Sequence, residues 1–215
     1  MVNAEFHCHT CHSKDSLARI QDLLTTCQNK GLQRVVVTDH NSIQGALEAH
    51  ALDPHRFIVG EEIMTLQGEL LGIFVRETIP AGLSAIKTIE ILREQGAFIS
   101  VSHPFDAFRD GHWEPADLLN IISSVDAIEV FNSRCLLPQF NTRAKVFAQQ
   151  HNLPGTVGSD AHSLSELGTA TLTLPNFNDA ASLTKALSSA KFQLRLSGPW
   201  VHLFSRFAAW RKKAS

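Results

Sequence analysis

Residues 5–15 read Glu5-Phe6-His7-Cys8-His9-Thr10-Cys11-His12-Ser13-Lys14-Asp15, and this stretch carries the most information about the fold and its chemistry. It contains three histidines and two cysteines. Residues 8–12 spell C-x-x-C-H, the pattern of covalent haem attachment. His7-x-His9 followed by Asp15 is instead a pattern of metal ligands in a hydrolase. The rest of the chain has to decide between these two interpretations.

The composition is that of a folded protein with a sizeable core. The 215 residues, 44% hydrophobic and 19% charged, fit one domain of barrel size or two small ones. The net charge of −2 argues against a dedicated nucleic-acid surface, because such surfaces usually show clustered Lys and Arg. The cysteines are predicted to be reduced thiols, and they are Cys8, Cys11, Cys27 and Cys135.

The N-terminus does not resemble a targeting segment. Residues 1–5 lack the charged and apolar regions of a signal peptide. No apolar run approaches the roughly 18 residues of a membrane span. We therefore expect a cytosolic protein, which weakens the haem hypothesis, since covalent haem attachment takes place in exported proteins. Residues 6–9 also read as the end of a strand rather than as part of a helix.

Short apolar runs repeatedly end in a polar residue that can bind a metal, and a helical pattern then follows. Predicted strands cover residues 4–9, 34–40, 57–62, 68–75, 97–104, 126–132, 155–162, 169–174 and 192–196. Predicted helices cover residues 17–31, 42–51, 83–95, 115–122, 139–151 and 179–190. The third and fourth strands are so close that a hairpin is predicted between them.

Strands that alternate with helices predict βα units and a mainly parallel sheet. Six or seven such units fit an incomplete or distorted (β/α) barrel, in which the chemistry lies at the C-terminal ends of the strands. The candidate metal ligands at these ends are His7, His9, His40, Glu62, His103, Asp160 and His162.

Seven short segments carry the resemblance of this chain to a known family, and they are residues 7–10, 13–15, 38–41, 60–63, 102–104, 129–132 and 158–162. In order and spacing, these segments resemble the PHP family (polymerase and histidinol phosphatase domain), a group of metal-dependent phosphoesterases. The resemblance covers residues 4–175 and implies an α/β fold, a single-domain distorted (β/α)7 barrel with its metal site at the C-terminal strand ends. It also implies two or three divalent ions, Zn, Mn or Fe. We expect this domain to span residues 1–198.

The resemblance further implies three metal positions. The first would be held by His7, His9, Glu62 and Asp160, with Glu62 bridging to a second ion that His103 also binds. Asp15, His40 and His162 would bind the third. Many relatives have a histidine shortly after the bridging glutamate, where this chain has Gly68-Glu69-Leu70. Glu69 either substitutes as an oxygen ligand or leaves the second position weak or vacant.

Four further residues are candidates for catalytic or positioning roles. Asp39 precedes His40 and is expected to orient it from behind. Asn132 is expected to contact the substrate or a ligand, or else to cap its strand. Arg109 and Arg134 are the best-placed cations for a phosphate group. The remaining histidines are interpreted as surface or packing residues, and they are His12, His50, His55, His112, His151 and His202.

The leading hypothesis is a phosphoesterase that hydrolyses a small phosphomonoester or a nucleotide with a metal-activated water. One alternative is a 3′–5′ exonuclease or oligonucleotide phosphodiesterase, whose partner would be a short oligonucleotide. A second is a non-catalytic metal-binding module. The sequence leaves the oligomeric state open.

Residues 199–215 form a separate tail in which large apolar residues recur at helical spacing beside several cations. The apolar residues are Trp200, Leu203, Phe204, Phe207 and Trp210, and the cations are Arg206, Arg211, Lys212 and Lys213. This pattern predicts an amphipathic, basic helix. It would either pack on the barrel as a closing helix, or serve as an oligomer contact or a membrane-surface helix.

Overall fold

The structure, a computed structural model, describes residues 1–213. Within these residues, nine strands form one mixed sheet that curls into a nearly closed barrel. The strands are β1 (Val2–Cys8), β2 (Arg34–Val37), β3 (Phe57–Met64), β4 (Glu69–Ile73), β5 (Phe98–Val101), β6 (Ala127–Asn132), β7 (Gly155–Gly158), β8 (Ala170–Leu174) and β9 (Lys191–Leu194). The helices are α1 (Ile20–Asn29), α2 (Gln44–Leu52), α3 (Ala85–Glu94), α4 (Pro115–Ile121), α5 (Pro138–Gln150), α6 (Ala180–Leu187) and α7 (Val201–Lys213).

The barrel consists of β1 to β7, and the strand order of the whole sheet is β7-β6-β5-β4-β3-β2-β1-β8-β9. β1 and β7 meet just beyond their C-terminal ends, where Cys8 pairs with Ala161. There the amide of His9 donates to the carbonyl of Ala161 at 2.8 Å. β8 and β9 continue the sheet beyond β1 in antiparallel pairing. The closure brings the C-terminal ends of β1 and β7 together at the mouth of the barrel.

β1 shows why the interior of the barrel is polar at its mouth. Alternate side chains of a strand point to opposite faces. Ala4, Phe6 and Cys8 are buried among apolar side chains. Glu5 and His7, on the other face, are fully buried and contact polar groups. The pattern therefore sends ionisable residues into the barrel and apolar residues against the surrounding layer.

The predicted fold class is confirmed, with two differences in detail. Half of the neighbouring strand pairs in the described residues are antiparallel. β4 forms the predicted hairpin with β3 and is antiparallel to β5 as well, while β8 is antiparallel to both β1 and β9. The helix predicted from residue 17 begins at Ile20. Among residues 1–213, no helix is long and apolar enough to cross a membrane.

Candidate metal centre

The carboxylate of Glu62, near the end of β3, lies among four imidazoles. Its Oε1 is 3.2 Å from Nε2 of His7 and 3.1 Å from Nε2 of His103. Its Oε2 is 3.4 Å from Nε2 of His9 and 3.1 Å from Nδ1 of His40. The side chain of Glu62 is fully buried. One carboxylate therefore faces two pairs of histidines, as expected of a group that bridges two cations.

Asp160 reaches the same place from the turn after β7. Its Oδ1 is 3.2 Å from Nε2 of His9 and 3.7 Å from Nε2 of His7. The backbone of Asp160 has φ +53°, a conformation that non-glycine residues adopt mainly where the surroundings enforce it. His103 has φ +22° at the end of β5. Two proposed ligands thus sit in uncommon backbone conformations at strand ends.

Asp15 lies on the outer side of this cluster. Its Oδ2 is 3.3 Å from Nε2 of His162, and its Oδ1 is 3.7 Å from Nε2 of His40. An aspartate just before a helical pattern can also act as the N-cap of the helix. Because α1 begins only at Ile20 and has no side-chain cap, Asp15 is free to face the histidines. The three residues that the family resemblance groups together are therefore close in space.

Glu69, at the start of β4, also points into the cluster. Its Oε2 is 3.4 Å from Nε2 of His103, and its Oε1 is 3.7 Å from Nδ1 of His40. A side chain at Gly111 would collide with it, because a Cβ there would lie 2.0 Å from Oε2 of Glu69. Burial and the nearby Glu62 raise the pKa of Glu69. The carboxylate of Glu69 thus lies among the other candidate ligands, beside His103 and His40.

Hydrogen bonds from outside the cluster fix the rings of His7 and His9. Nδ1 of His7 is 2.9 Å from Oε1 of Glu129, on β6. Nδ1 of His9 is 3.1 Å from Oγ of Ser13, which donates to Asp39 at 2.6 Å. A histidine that donates through Nδ1 keeps the Nε2 lone pair for a metal. Asp39 therefore acts through Ser13, and Ser13 also accepts from the backbone amide of His40 at 3.1 Å.

Several buried donor and acceptor atoms of this cluster make no hydrogen bond within residues 1–213. They are His7 Nε2, His9 Nε2, Asp15 Oδ1, Glu62 Oε2 and Asp160 Oδ1. Burying such atoms without a partner costs free energy. Imidazole nitrogens and carboxylate oxygens suit Zn, Mn or Fe, so these residues fit divalent cations.

Three sets of donor atoms have internal separations of no more than 4.8 Å. They are His9 with His40 and His162, His7 with His9 and Glu62, and His40 with Glu62 and Glu69. All nine candidate ligands lie in this one region. The sets overlap more than the three positions implied by the resemblance, because His40 is adjacent to Glu62 and Glu69 as well as to Asp15.

The electrostatics of the cluster favour cations at its centre. Burial disfavours the charged form of His7, but the carboxylates of Glu62 and Asp160 outweigh it and hold its pKa well above the ordinary value. Burial and two neighbouring imidazoles lower the pKa of His9 to about 3. Burial would raise the pKa of Glu62, yet the surrounding histidines hold it well below the ordinary value. A neutral His9 and an ionised Glu62 are the protonation states that a metal requires, whereas His7 would have to release its proton when a cation binds.

The remaining predicted residues surround Asp160. Nη2 of Arg109 lies 2.5 Å from Oδ2 of Asp160, and Nδ2 of Asn132 donates to the same oxygen at 3.2 Å. Arg134 is buried, and its Nη1 donates to the carbonyl of Asp160 at 3.4 Å while its Nε lies 3.6 Å from Glu166. These side chains contact Oδ2 and the backbone carbonyl of Asp160, so its Oδ1 is left facing the histidines.

A cavity of about 590 Å³ opens directly above the cluster. Its lining includes the candidate ligands Asp15, His40, Glu69 and His162 and the cations Arg109 and Arg134. α7 forms part of the wall through His202, Ser205 and Arg206. Within residues 1–213, neither Lys14 nor Arg206 of this wall has an ion-pair partner. A molecule in this cavity can contact four of the nine candidate ligands directly.

The roles of three residues that support or line this site were not predicted from the sequence. Glu129 lay in a matching segment, but a strand pattern does not reveal that it meets His7 across the barrel. Ser13 likewise links His9 to Asp39 only after folding. His202, interpreted as a surface or packing residue, lines the cavity. None of these contacts has a local sequence signal.

The structure contradicts the haem interpretation of residues 8–12. Cys8 is fully buried on the apolar face of β1, where its thiol donates to the carbonyl of Val36 at 3.4 Å. His12 points away from the barrel towards Glu48, at 3.2 Å. A haem could not be attached to a thiol in that position without unfolding the strand.

Two family profiles match parts of this chain. The profile of the PHP domain matches residues 5–73, and a profile described as PHP-associated matches residues 138–192. The uncharacterised protein MJ0417 of Methanocaldococcus jannaschii is 33% identical over 180 residues, which are 82% of this chain and 72% of that protein. This chain belongs to the PHP domain family. A second uncharacterised protein of the same organism, MJ1587, is 33% identical to the PHP protein over 145 residues, 61% of this chain and 82% of that one.

Solved structures confirm the PHP fold at low sequence identity. PsfC from Pseudomonas syringae superposes with a TM-score of 0.70 at 17% identity, over 100% of this chain and 99% of that one. A candidate metal-dependent phosphoesterase from Bifidobacterium adolescentis gives 0.65 at 18% identity, over 86% and 95% of the two chains. An amidohydrolase from Chromobacterium violaceum with bound sulfate gives 0.66 at 14% identity, over 86% and 96%.

Proposed function

We propose that this PHP protein is a metal-dependent phosphoesterase that hydrolyses a small phosphomonoester or a nucleotide with a metal-activated water. The observation that carries the proposal is the convergence of buried, unpartnered ligand atoms from β1, β3 and β7 beneath an open cavity. Family membership and the phosphoesterase described among the structural neighbours support it.

The proposed ligands are those that the cluster brings together. They are His7, His9, Asp15, His40, Glu62, Glu69, His103, Asp160 and His162. Divalent cations held there would supply Lewis acidity towards a phosphoryl oxygen and would lower the pKa of water from about 15.7 towards 7. Zn, Mn and Fe all suit this mixture of nitrogen and oxygen donors.

The other candidate residues divide into positioning and binding roles. Asn132 has its amide group engaged with Glu129 and Asp160, so we assign it a positioning role. Arg109 is held by Asp106 and Asp160 and lines the cavity, where part of its guanidinium can contact a phosphate. Lys14, which has no ion-pair partner within residues 1–213, also lines the cavity and can neutralise a second phosphate oxygen.

The shape of the cavity favours a small substrate over an oligonucleotide. Its volume of about 590 Å³ is sufficient for a nucleotide, and α7 forms part of its wall. The test compares phosphate release from a nucleoside monophosphate with shortening of a labelled single-stranded oligonucleotide, at equal concentrations of added Mn²⁺. Faster turnover of the monophosphate supports the proposal. Efficient stepwise shortening with slow monophosphate turnover would favour the exonuclease alternative.

A non-catalytic metal-binding module is the second alternative. It would bind the same cations and release no phosphate from any ester in a broad screen. The open cavity above the nine donor residues argues against it, because a module without activity has no need to admit a substrate. A cytosolic location stays a prediction from the sequence.

A further inference from the structure

α7 lies on the barrel through its small and polar residues. Oγ of Ser205 accepts a hydrogen bond from Nη2 of Arg134 at 2.8 Å, and Ala208 is buried. At the other end, Lys212 donates to the carbonyls of Cys11 and Ser13. Small residues let the helix approach the barrel closely, and the two ends fix it across the mouth.

The opposite face of α7 is apolar and exposed. The large side chains of this outward face, 51% to 70% exposed, are Trp200, Leu203, Phe204, Phe207 and Trp210. The predicted helix therefore contacts the barrel, but through its small and polar side and not through these apolar residues. Surface helices of globular proteins normally turn the apolar side inward. An exposed apolar patch of this size marks an interaction surface.

The charge of the chain is unevenly distributed. The last acidic residue is Asp179, so all 21 acidic residues precede residue 180. Residues 180–215 carry seven Lys and Arg and no Asp or Glu. On α7 itself, Lys213 is exposed and follows Trp210 by three positions. A basic segment with an apolar face complements a surface whose outer layer is anionic and whose interior is apolar.

We propose that the outward face of α7 docks on the surface of an anionic lipid bilayer. The helix of 13 residues is about 20 Å long, so it would lie in the plane of the interface. Tryptophan at both ends of the apolar row suits the headgroup level. A symmetric contact with a second copy through α7 is disfavoured, because it would bring two basic segments together. Since the inner side of α7 lines the cavity, docking places the mouth of the cavity beside the bilayer.

Vesicle sedimentation of the full-length chain tests this proposal without reference to hydrolysis. The vesicles are phosphatidylcholine alone, or phosphatidylcholine with about one third phosphatidylserine. We expect binding to the anionic vesicles that is at least about tenfold stronger than to the neutral ones, and that weakens with added salt. Phe204→Ser combined with Phe207→Ser should weaken binding at least about tenfold, and Lys213→Glu should weaken it less.

A matched control removes two exposed apolar residues elsewhere. Ile86→Ser combined with Leu119→Ser changes α3 and α4, whose residues are similarly exposed, and should leave binding unchanged. Thermal unfolding of both double variants shows whether each is folded. The proposal is overturned if wild-type protein ignores anionic vesicles or if the α7 variant, folded, binds as before. It is also overturned if the α7 variant instead dissociates a dimer, or if α7 retains a labelled oligonucleotide while ignoring vesicles.

Discussion

Oε1 of Glu129 lies 2.9 Å from Nδ1 of His7, and this contact joins β6 to β1 across the inside of the barrel. The other oxygen of Glu129 accepts from the backbone amide of His103 at 2.8 Å. One buried carboxylate thus orients two proposed ligands and sets which nitrogen of His7 faces the metal.

Glu129→Gln should weaken metal binding by about 10- to 100-fold, because an amide cannot accept at both of its positions. The measurement is competition for Zn²⁺ with a chelating dye, with phosphatase activity at saturating metal as a second readout. Glu114→Gln, at an exposed position, is the control and should have no effect. Unchanged affinity in the Glu129 variant would show that the contact does not orient His7.

Glu69→Ala should lower the number of bound ions by one without disrupting the fold. Its oxygens face His103 and His40 at 3.4 and 3.7 Å, so its removal leaves that side of Glu62 with nitrogen donors alone. Metal content after dialysis against a weak chelator gives the count. Glu69→His, which restores the residue type common in relatives, should keep the ion. A Glu69→Ala variant with the full metal content would mean that Glu69 is not a ligand.

Glu61, on the opposite face of β3 from Glu62, predicts a pH effect on stability. Burial raises the pKa of Glu61 to about 7, and its ordinary value is 4.5. The folded protein therefore binds this proton more tightly than the unfolded chain does. The resulting stabilisation is complete below about pH 4.5 and is lost as the pH rises through about 7.

Glu61→Gln keeps an acceptor for the amide of Ile79 and removes the ionisation. The variant should match wild type near pH 5 and be more stable at pH 8, by up to about 3 kcal/mol. Urea unfolding at the two pH values, with metal present throughout, measures the difference. The exposed Glu77→Gln should show no such dependence. A constant difference between Glu61→Gln and wild type across this range would contradict the buried, raised pKa.

Removal of metal should destabilise the protein, because buried ligand atoms of His7, His9, Glu62 and Asp160 make no hydrogen bond within residues 1–213 that could replace the metal. Ligand at about 1,000 times its dissociation constant contributes about 4 kcal/mol to the free energy of unfolding. We expect the thermal midpoint to fall on chelation and to rise again with added Zn²⁺ or Mn²⁺. In His9→Ala the response to metal should be much smaller. Equal midpoints with and without metal would contradict the ligand assignment.

Much of the barrel, and the proximity of the candidate ligands, could be predicted from the sequence. Strand ends carry the candidate ligands, and parallel strands bring those ends together, so His7, Glu62 and Asp160 were expected at one place. The partner of His7 could not be foreseen, because Glu129 is 122 positions away and only folding sets their distance. The helical spacing of α7 predicted a helix but did not determine which face meets the barrel. The hydrogen bonds of Ser205 with Arg134 and of Lys212 with the carbonyl of Ser13 place the small and polar face of α7 against the barrel. Both partners are distant from α7 in the sequence.

Metal analysis of the native protein together with phosphate release tests the proposed function most directly. Wild-type protein purified without chelator should contain two or three Zn, Mn or Fe ions per chain and release phosphate from a nucleoside monophosphate. Asp160→Ala should retain its circular dichroism spectrum and lose most of both properties. Wild-type protein that is stripped of metal and keeps full phosphatase activity would contradict the proposal.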